Sequence, residues 1–247
     1  MAWFRSQKSR GLKVCTWSGG TDEEIAAMLA AHYAGQIDIH DYWTVGDERT
    51  VSLSAMDATG VNESHPAQNV VLVLSNAGGK YLADGVTECA FQVDQKYCLG
   101  GASANENGYM NSDRTNIGGW KVTPRRTWCN SIYYNAFPSS LKPIFKQHIN
   151  KNGIDNGGTI ENTLDYFALR AEIEIFGECT ISVQGEGSQV KLYETQTYIQ
   201  KNNSAYWGRS RDTANATSFL RVIPNTPTRG YSYWSNNNLS IAPFGVI

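Results

Sequence analysis

Residues that could carry out metal or acid–base chemistry are few in this chain and are widely spaced. Its four histidines, His32, His40, His65 and His148, form no H-E-x-x-H or H-x-H arrangement, and its five cysteines include no C-x-x-C pair. A zinc site needs several nitrogen and sulfur ligands that converge on one point. The sequence therefore predicts no metal site and no cofactor, and we expect the cysteines to be reduced and mostly buried.

Motifs for nucleophilic catalysis and for phosphate binding are also missing from the sequence. It contains no G-x-S-x-G elbow and no glycine-rich phosphate loop. Two carboxylates could pair for glycoside hydrolysis, but Glu172 and Glu174 lie two residues apart on a short predicted helix and should face different ways. The sequence favours a protein that is not an enzyme, with a carbohydrate-active enzyme as the less favoured alternative.

The overall charge and hydropathy exclude two further classes. The 247 residues carry a net charge of −2 at pH 7 with a pI near 6.1, whereas a nucleic-acid binder needs a basic face. No apolar run is long enough to span a membrane, and the first residues lack the apolar stretch of a signal peptide. We expect no nucleic-acid partner and no membrane insertion, and a protein of this kind that acts outside a cell would leave it through lysis or as part of a particle.

The first hundred residues are predicted to form one helix and then strands. Thr21 and Glu24 form a capping box, and Gly35 is a typical helix stop, so we predict a helix over 22–34. Alternating and β-branched patterns predict strands at 50–54, 69–75 and 88–97.

The rest of the chain mixes both kinds of element. Helices are predicted over 120–137, from Ser139 to His148, and over 170–176; strands are predicted at 166–169, 219–223 and 241–247; surface loops are predicted at 100–119 and 150–162. Residues 178–205 have a mixed pattern. No strand–helix–strand order repeats, so we predict an α+β fold with small antiparallel sheets, two or more flanking helices and long irregular loops.

The predicted domain organisation is simple. No linker-like segment divides the chain, so residues 19–247 are expected to form one domain. Residues 1–18 are irregular and predict an N-terminal arm, in which Trp3 and Phe4 could anchor the chain to another protein or to a neighbouring copy.

The C-terminal stretch resembles a known family. Residues 205–210 (AYWGRS) are followed by Phe219, Val222 and Gly230, and then by 241–247 (IAPFGVI). Further similar motifs lie at 19–22 (GGTD), 41–49 (DYWTVGDER), 108–112 (GYMNS), 125–130 (RRTWCN) and 165–169 (DYFAL). Together they resemble phage and prophage proteins of gut bacteria that have a C-type-lectin-like fold.

This resemblance implies a receptor-binding protein on a phage tail, and some relatives are diversified by retroelements. The fold is also similar to that of formylglycine-generating enzymes, but no cysteine follows Cys179, so that chemistry is not carried over. The segment 223–225 (IPN) lacks the acidic ligand of calcium-dependent lectins, so calcium-dependent sugar binding is not expected either.

We predict that the ligand-binding surface lies in 206–247. Trp207, Phe219, Val222, Pro243 and Phe244 would form a rigid frame, while tyrosine, serine and asparagine between them point outward, a mixture that binding surfaces favour. The residue types in 211–238 fit either a diversified segment or an ordinary polar loop. The predicted ligand-binding residues are Arg211, Asp212, Thr213, Asn215, Thr217, Arg221, Ile223, Asn225, Tyr231, Tyr233, Trp234, Asn236 and Asn238.

The sequence therefore predicts a non-enzymatic protein that binds a host surface protein or glycan. It would be made in the bacterial cytoplasm and then be displayed on a phage tail or related particle, or be extracellular after lysis. Other phage tail proteins are expected partners, and the chain could form a homo-oligomer. The main alternative is a structural tail or baseplate subunit without ligand specificity.

Overall fold

Helices and small antiparallel sheets make up the observed structure, a computed structural model that describes residues 12–99, 108–195, 204–223 and 230–247. The helices are α1 (Asp22–Tyr33), α2 (Pro124–Trp128), α3 (Tyr134–Ala136) and α4 (Glu172–Phe176). The strands are β1 (Glu48–Leu53), β2 (Gln68–Ala77), β3 (Phe91–Gln95), β4 (His148–Gly153), β5 (Ile160–Asp165), β6 (Phe167–Ala168), β7 (Tyr206–Arg211), β8 (Ser218–Val222), β9 (Tyr231–Trp234) and β10 (Phe244–Val246). The predicted α+β class is confirmed.

The strands of the described residues form three sheets. The largest has the order β1-β2-β3-β10-β6, the second pairs β4 with β5, and the third has the order β7-β8-β9. All of these pairings are antiparallel. Strand β10 thus lies inside the main sheet, and the third sheet carries the segment predicted to bind a ligand.

Helix α1 begins and ends as the sequence predicts. The Thr21 side chain accepts a hydrogen bond from the Glu24 backbone N–H, and the Glu24 carboxylate accepts one from the Thr21 backbone, which completes the capping box. Gly35 has φ 69°, a conformation that glycine tolerates best. Ile25, Met28 and Leu29 are buried against the core.

The predicted helix over 120–137 is confirmed in part. A 3-10 turn covers Trp120–Val122, and a continuous helix then runs through α2, a π-helical turn at Cys129–Tyr133, and α3. Thr123 caps it by accepting a hydrogen bond from the Arg126 N–H, and Pro124 occupies the first turn, where no N–H partner is lost.

Two predictions for residues 139–162 are wrong. The helix expected from Ser139 to His148 is a single 3-10 turn, Lys142–Ile144, and the loop expected over 150–162 is the β4–β5 hairpin. Asn150 and Asn152 face inward from β4 and are fully buried, where Asp165 and Arg209 form hydrogen bonds with them. Because polar residues occupy the inner face, the hydrophobic alternation that marks a strand is missing.

Other predicted elements are shorter than expected or only partly described. Strand β10 covers three residues of the predicted strand 241–247. Residues 108–119 contain no regular strand or helix, and 178–195 contain one 3-10 turn, Lys191–Glu194. The other parts of these two predicted segments, 100–107 and 196–203, lie outside the described residues. No helix in the described residues has the length and apolar character needed to cross a membrane.

The described part of the predicted arm packs against the core. Residues 1–11, with Trp3 and Phe4, lie outside the described residues. Trp17 is fully buried, with its ring centroid 5.5 Å from that of Trp43, and the Trp43 indole N–H donates to the Cys15 carbonyl. The core therefore extends at least to Trp17.

The Asp165 carboxylate joins the hairpin to the helix at 124–136. It is fully buried. It accepts hydrogen bonds from the side chains of Trp120, Arg126, Asn130, Asn150 and Thr163. A buried carboxylate with this many donors fixes the position of every element that supplies one.

We expect Asp165→Asn to lower the free energy of unfolding by about 3–5 kcal/mol, because an amide N–H would face these donors and Arg126 would lose its ion pair. Urea unfolding measures the loss. Glu161→Gln on the same strand is the control: its pair with Lys121 is partly exposed, so it should cost less than about 1 kcal/mol. Equal losses in both variants would contradict the assigned role of Asp165.

His148 should make the fold sensitive to acid. Burial, reinforced by Lys80, lowers the pKa of His148 well below 6.5, so below that pH the unfolded chain takes up a proton that the folded chain refuses. The free energy of unfolding then falls as the pH drops, by up to about 1.4 kcal/mol per pH unit for this group. His148→Gln should flatten the decline between pH 7 and pH 5; an unchanged slope in urea unfolding would contradict this assignment.

Candidate ligand-binding surface

The third sheet rests on the frame predicted from the sequence. Trp207, Phe219, Val222 and Phe244 are each at most 1% exposed, and Pro243 is also buried. The Trp207 indole N–H donates to the Gly108 carbonyl at 3.0 Å, which ties β7 to the loop 108–119. The prediction of a buried frame is therefore confirmed.

Strand β9 alternates between its two faces. Tyr231 and Tyr233 are half-buried, whereas Ser232 and Trp234 are exposed. Trp234 is 46% exposed, while the other tryptophans of the described residues are buried. Its ring is covered on one side by the Arg114 guanidinium, whose central carbon lies 3.3 Å from the ring centroid. The outward face thus presents an indole and a guanidinium in contact.

The opposite face of β9 packs on the frame. Tyr233 lies 5.9 Å from Trp207, measured between ring centroids, and the Arg221 guanidinium lies 4.4 Å from the Tyr233 ring. Cross-strand pairing of Arg221 with Tyr231 places both on this face. The Nε atom of Arg221 is buried and has no hydrogen-bond partner among the described residues. Tyr233 therefore packs on Trp207 and Arg221 packs on Tyr233, and both side chains are partly exposed to solvent.

Arg211 and Asp212 do not face outward as the sequence predicts. Arg211 is 2% exposed and belongs to β7, all of which is buried, and Asp212, the residue after β7, is 5% exposed. Arg211 donates from Nη2 to the side chains of Asn116 and Asn156, and the Asp212 carboxylate accepts from the Ala214 N–H. These two residues hold the turn that follows β7, and we remove them from the proposed surface.

The turn between β7 and β8 uses its polar side chains internally. The Asn116 amide donates to the carbonyls of Asp212, Asn215 and Ser218. The Thr213 hydroxyl donates to the Ile181 carbonyl, and the Asn215 side chain accepts from Thr217. Thr213, Asn215 and Thr217 are half-buried, so only part of each side chain is accessible.

The remaining predicted residues flank β8 and β9. Ile223 and Asn236 are half-buried and Asn238 is exposed. Asn225 lies outside the described residues. The structure thus brings Arg221, Tyr231, Tyr233, Trp234, Asn236 and Asn238 together around one strand and the turn that follows it.

The sequence did not point to Arg114. Its loop, 108–119, packs on the turn after β9, where Ser235 accepts hydrogen bonds from the backbone of Met110, Asn111 and Thr115. Arg114 precedes Trp234 by 120 positions, and no sequence pattern connects a residue in a glycine- and asparagine-rich loop to a strand that far away. The polar composition of the loop predicted only that Arg114 lies at the surface.

An open cavity adjoins the same loop. It measures about 560 Å³, within the size range of pockets for small molecules. Its walls come from residues 59–61, from Ser112 of the loop, and from residues between 122 and 132. The apolar wall residues include Val61, Val122, Trp128 and Ile132. No sequence pattern predicted this cavity, because its walls come from three separate segments.

The carboxylates suggested for glycoside hydrolysis are committed to the fold. Glu172 accepts hydrogen bonds from Thr180, Ile181 and Ser182. Glu174 is paired with Lys80 and Arg209, which hold the pKa of Glu174 well below its usual range against the opposing effect of burial.

The surroundings of Glu174 are also too small for a sugar. The cavity beside it measures about 30 Å³, which is room for a water molecule rather than a sugar ring. Burial lowers the pKa of Lys80 to about 8 even though its Nζ lies 2.5 Å from Glu174. In the described parts of the chain, no three His, Cys, Asp or Glu side chains are grouped as metal ligands.

Two aromatic residues of the surface, Trp234 and Tyr233, should differ in their effect on stability. Trp234→Ala should change the free energy of unfolding by less than about 1 kcal/mol, since it removes an exposed ring and one cation–π contact. Tyr233→Ala should cost about 2 kcal/mol or more, because its ring packs on Trp207. Urea unfolding of both variants checks this order, and the reverse order would contradict the assigned faces of β9.

Known proteins do not identify the ligand of this surface. The chain matches no family model, and no curated protein and no solved structure matches it. The composition and geometry of the surface itself are therefore the basis for assigning its function.

Proposed function

We propose that this chain is a non-enzymatic binding protein whose C-terminal surface holds a host-cell surface molecule. The observation that carries the proposal is the exposed Trp234, stacked with Arg114 at the edge of a sheet whose other side is a rigid buried frame. Tryptophan, tyrosine and arginine are the residue types that most often dominate binding energy.

The geometry also favours binding at a low entropic cost. Stacking against Trp234 restricts the Arg114 side chain before any ligand arrives, and packing on Trp207 restricts Tyr233. Side chains that are already ordered lose less conformational freedom on association. Asn236 and Asn238 beside them add groups that can both donate and accept hydrogen bonds.

We further propose a C-type-lectin-like fold and display on a phage tail or related particle. The resemblance of its sequence motifs to those of phage proteins supports this, as does an arrangement in which the C-terminal segment forms a separate small sheet beside a main sheet that is completed by β10. A structural tail or baseplate subunit is the alternative, in which Trp234 would pack against another subunit.

The test uses the purified full chain, fluorescently labelled, with intact cells from a panel of gut bacterial species. We expect saturable binding to at least one species, and Trp234→Ala should reduce it by about tenfold or more while the melting temperature is kept, as for a central aromatic contact. Tyr81→Ala is the matched control, because Tyr81 is 54% exposed on a different part of the molecule.

The outcomes separate the candidate functions. Binding that is equal in Trp234→Ala and in wild type, or no binding to any cell, contradicts the proposed function. If Trp234→Ala instead abolishes incorporation of the chain into sedimenting particles while cell binding was never present, the structural-subunit alternative is favoured.

A further inference from the structure

Strand β9 is an edge strand: within the described residues, no strand pairs with its outer edge. The Ser235 N–H donates to the Thr217 carbonyl across β8 and β9, so in this antiparallel register the backbone groups of Tyr231 and Tyr233 also point toward β8. Those of Ser232 and Trp234 then point away from the sheet. Of these outward groups, only the Trp234 carbonyl has a partner among the described residues, the Asn237 N–H.

This edge lacks most of the features that normally block strand pairing. Proteins protect edge strands with lysine, proline, inward charges, bulges or a covering segment. Strand β9 has the sequence YSYW, its pairing with β8 is regular over all four residues, and both outward-pointing residues, Ser232 and Trp234, are exposed. An extended segment could therefore pair with it through main-chain hydrogen bonds.

The charge around β9 selects the kind of segment. Two arginines, Arg114 and Arg221, flank β9, whereas Arg209 and Arg211 of β7 are buried and bonded within the fold. Arg114 lies on the Trp234 face of β9 and Arg221 on the Tyr233 face. Among the described residues, neither guanidinium has a hydrogen-bond or ion-pair partner.

We infer that the ligand is an acidic, extended polypeptide segment that adds to β9 as a further strand. This inference rests on the proposed function and specifies its ligand class. Successive side chains of an added strand point to opposite faces, so neighbouring acidic residues would reach Arg114 on one side and Arg221 on the other. Ser232 would exchange two main-chain hydrogen bonds with the segment, and the Trp234 N–H would donate a third.

A second copy of this chain fits the edge less well. Pairing two β9 strands would bring two copies of Arg114 and Arg221 close together, and like charges across a sheet are destabilising. An acidic segment from a host surface protein neutralises the same groups. A glycan could meet the arginines but would not need the outward backbone groups of Ser232.

The experiment selects short linear peptides from a displayed library on the immobilised full chain. We expect the enriched peptides to carry excess aspartate and glutamate and to lack proline at their centre. Ser232→Pro removes the outward N–H, a substitution that edge strands tolerate, and should weaken the best peptide by about tenfold or more, as expected when main-chain hydrogen bonds supply the affinity. Ser232→Ala is the matched control and should stay within about twofold, since it keeps the N–H.

A second variant keeps the test independent of Ser232→Pro folding. Arg114→Gln changes an exposed side chain whose contact is with Trp234, and it should weaken the acidic peptide and reduce the dependence of its affinity on salt. Enriched peptides without acidic excess, or equal binding to wild type and to a folded Ser232→Pro variant, would overturn the inference.

Failure of this inference can be distinguished from failure of the proposed function. If cell binding depends on Trp234 but not on the Ser232 N–H, strand addition is wrong and a binding function stands. If the ligand is instead an acidic glycan, its binding requires Arg114 but is unchanged in Ser232→Pro. Strand addition is then also wrong, and a binding function stands. If wild type is a dimer by sedimentation and Ser232→Pro is a monomer, the edge pairs with a second copy and the inference is overturned.

Discussion

A charge buried in a protein interior must be paired. In this fold the buried Arg209 guanidinium is such a charge, and its partners come from several segments of the chain. It is fully buried and bonds to the Glu174 carboxylate of α4, the Asn152 side chain of β4 and the Leu169 carbonyl. Because an unpaired buried guanidinium would cost several kcal/mol, these segments can assemble in only one arrangement around β7. Strands β8 and β9 are built outward from β7, so the position of Trp234 depends on a contact deep inside the molecule.

Local signals allowed part of this fold to be predicted. The capping box of α1, the β-branched run of β2 and the glycine that ends α4 each act within a few residues, so the sequence displays them directly. The β4–β5 hairpin was missed because its inward side chains, such as Asn150, are polar and are satisfied by partners far away in sequence. Periodicity of hydrophobic residues cannot detect a polar interior.

The candidate surface, too, could be predicted from the sequence only in part. Tyrosine and tryptophan in a polar segment indicated a binding surface, and the frame around Trp207 was correctly expected to be buried. Composition could not separate Arg211, which lies inside β7, from Arg221, which lies beside Tyr233, because both are arginines in the same polar stretch. Nor could it supply Arg114, since that contact exists only after a distant loop folds onto the turn at Ser235.

The placement of β10 has a consequence for synthesis on the ribosome. Strand β3 ends at Gln95, yet the neighbour on one of its sides, Phe244–Val246, is translated about 150 residues later. At typical translation rates this interval lasts roughly 8–30 s. During that time β1, β2 and β3 have been made but one edge of β3 has no partner strand, and exposed strand edges are where misassembly begins. Strand β10 therefore closes the gap between β3 and β6 in the main sheet long after both of those strands have been made.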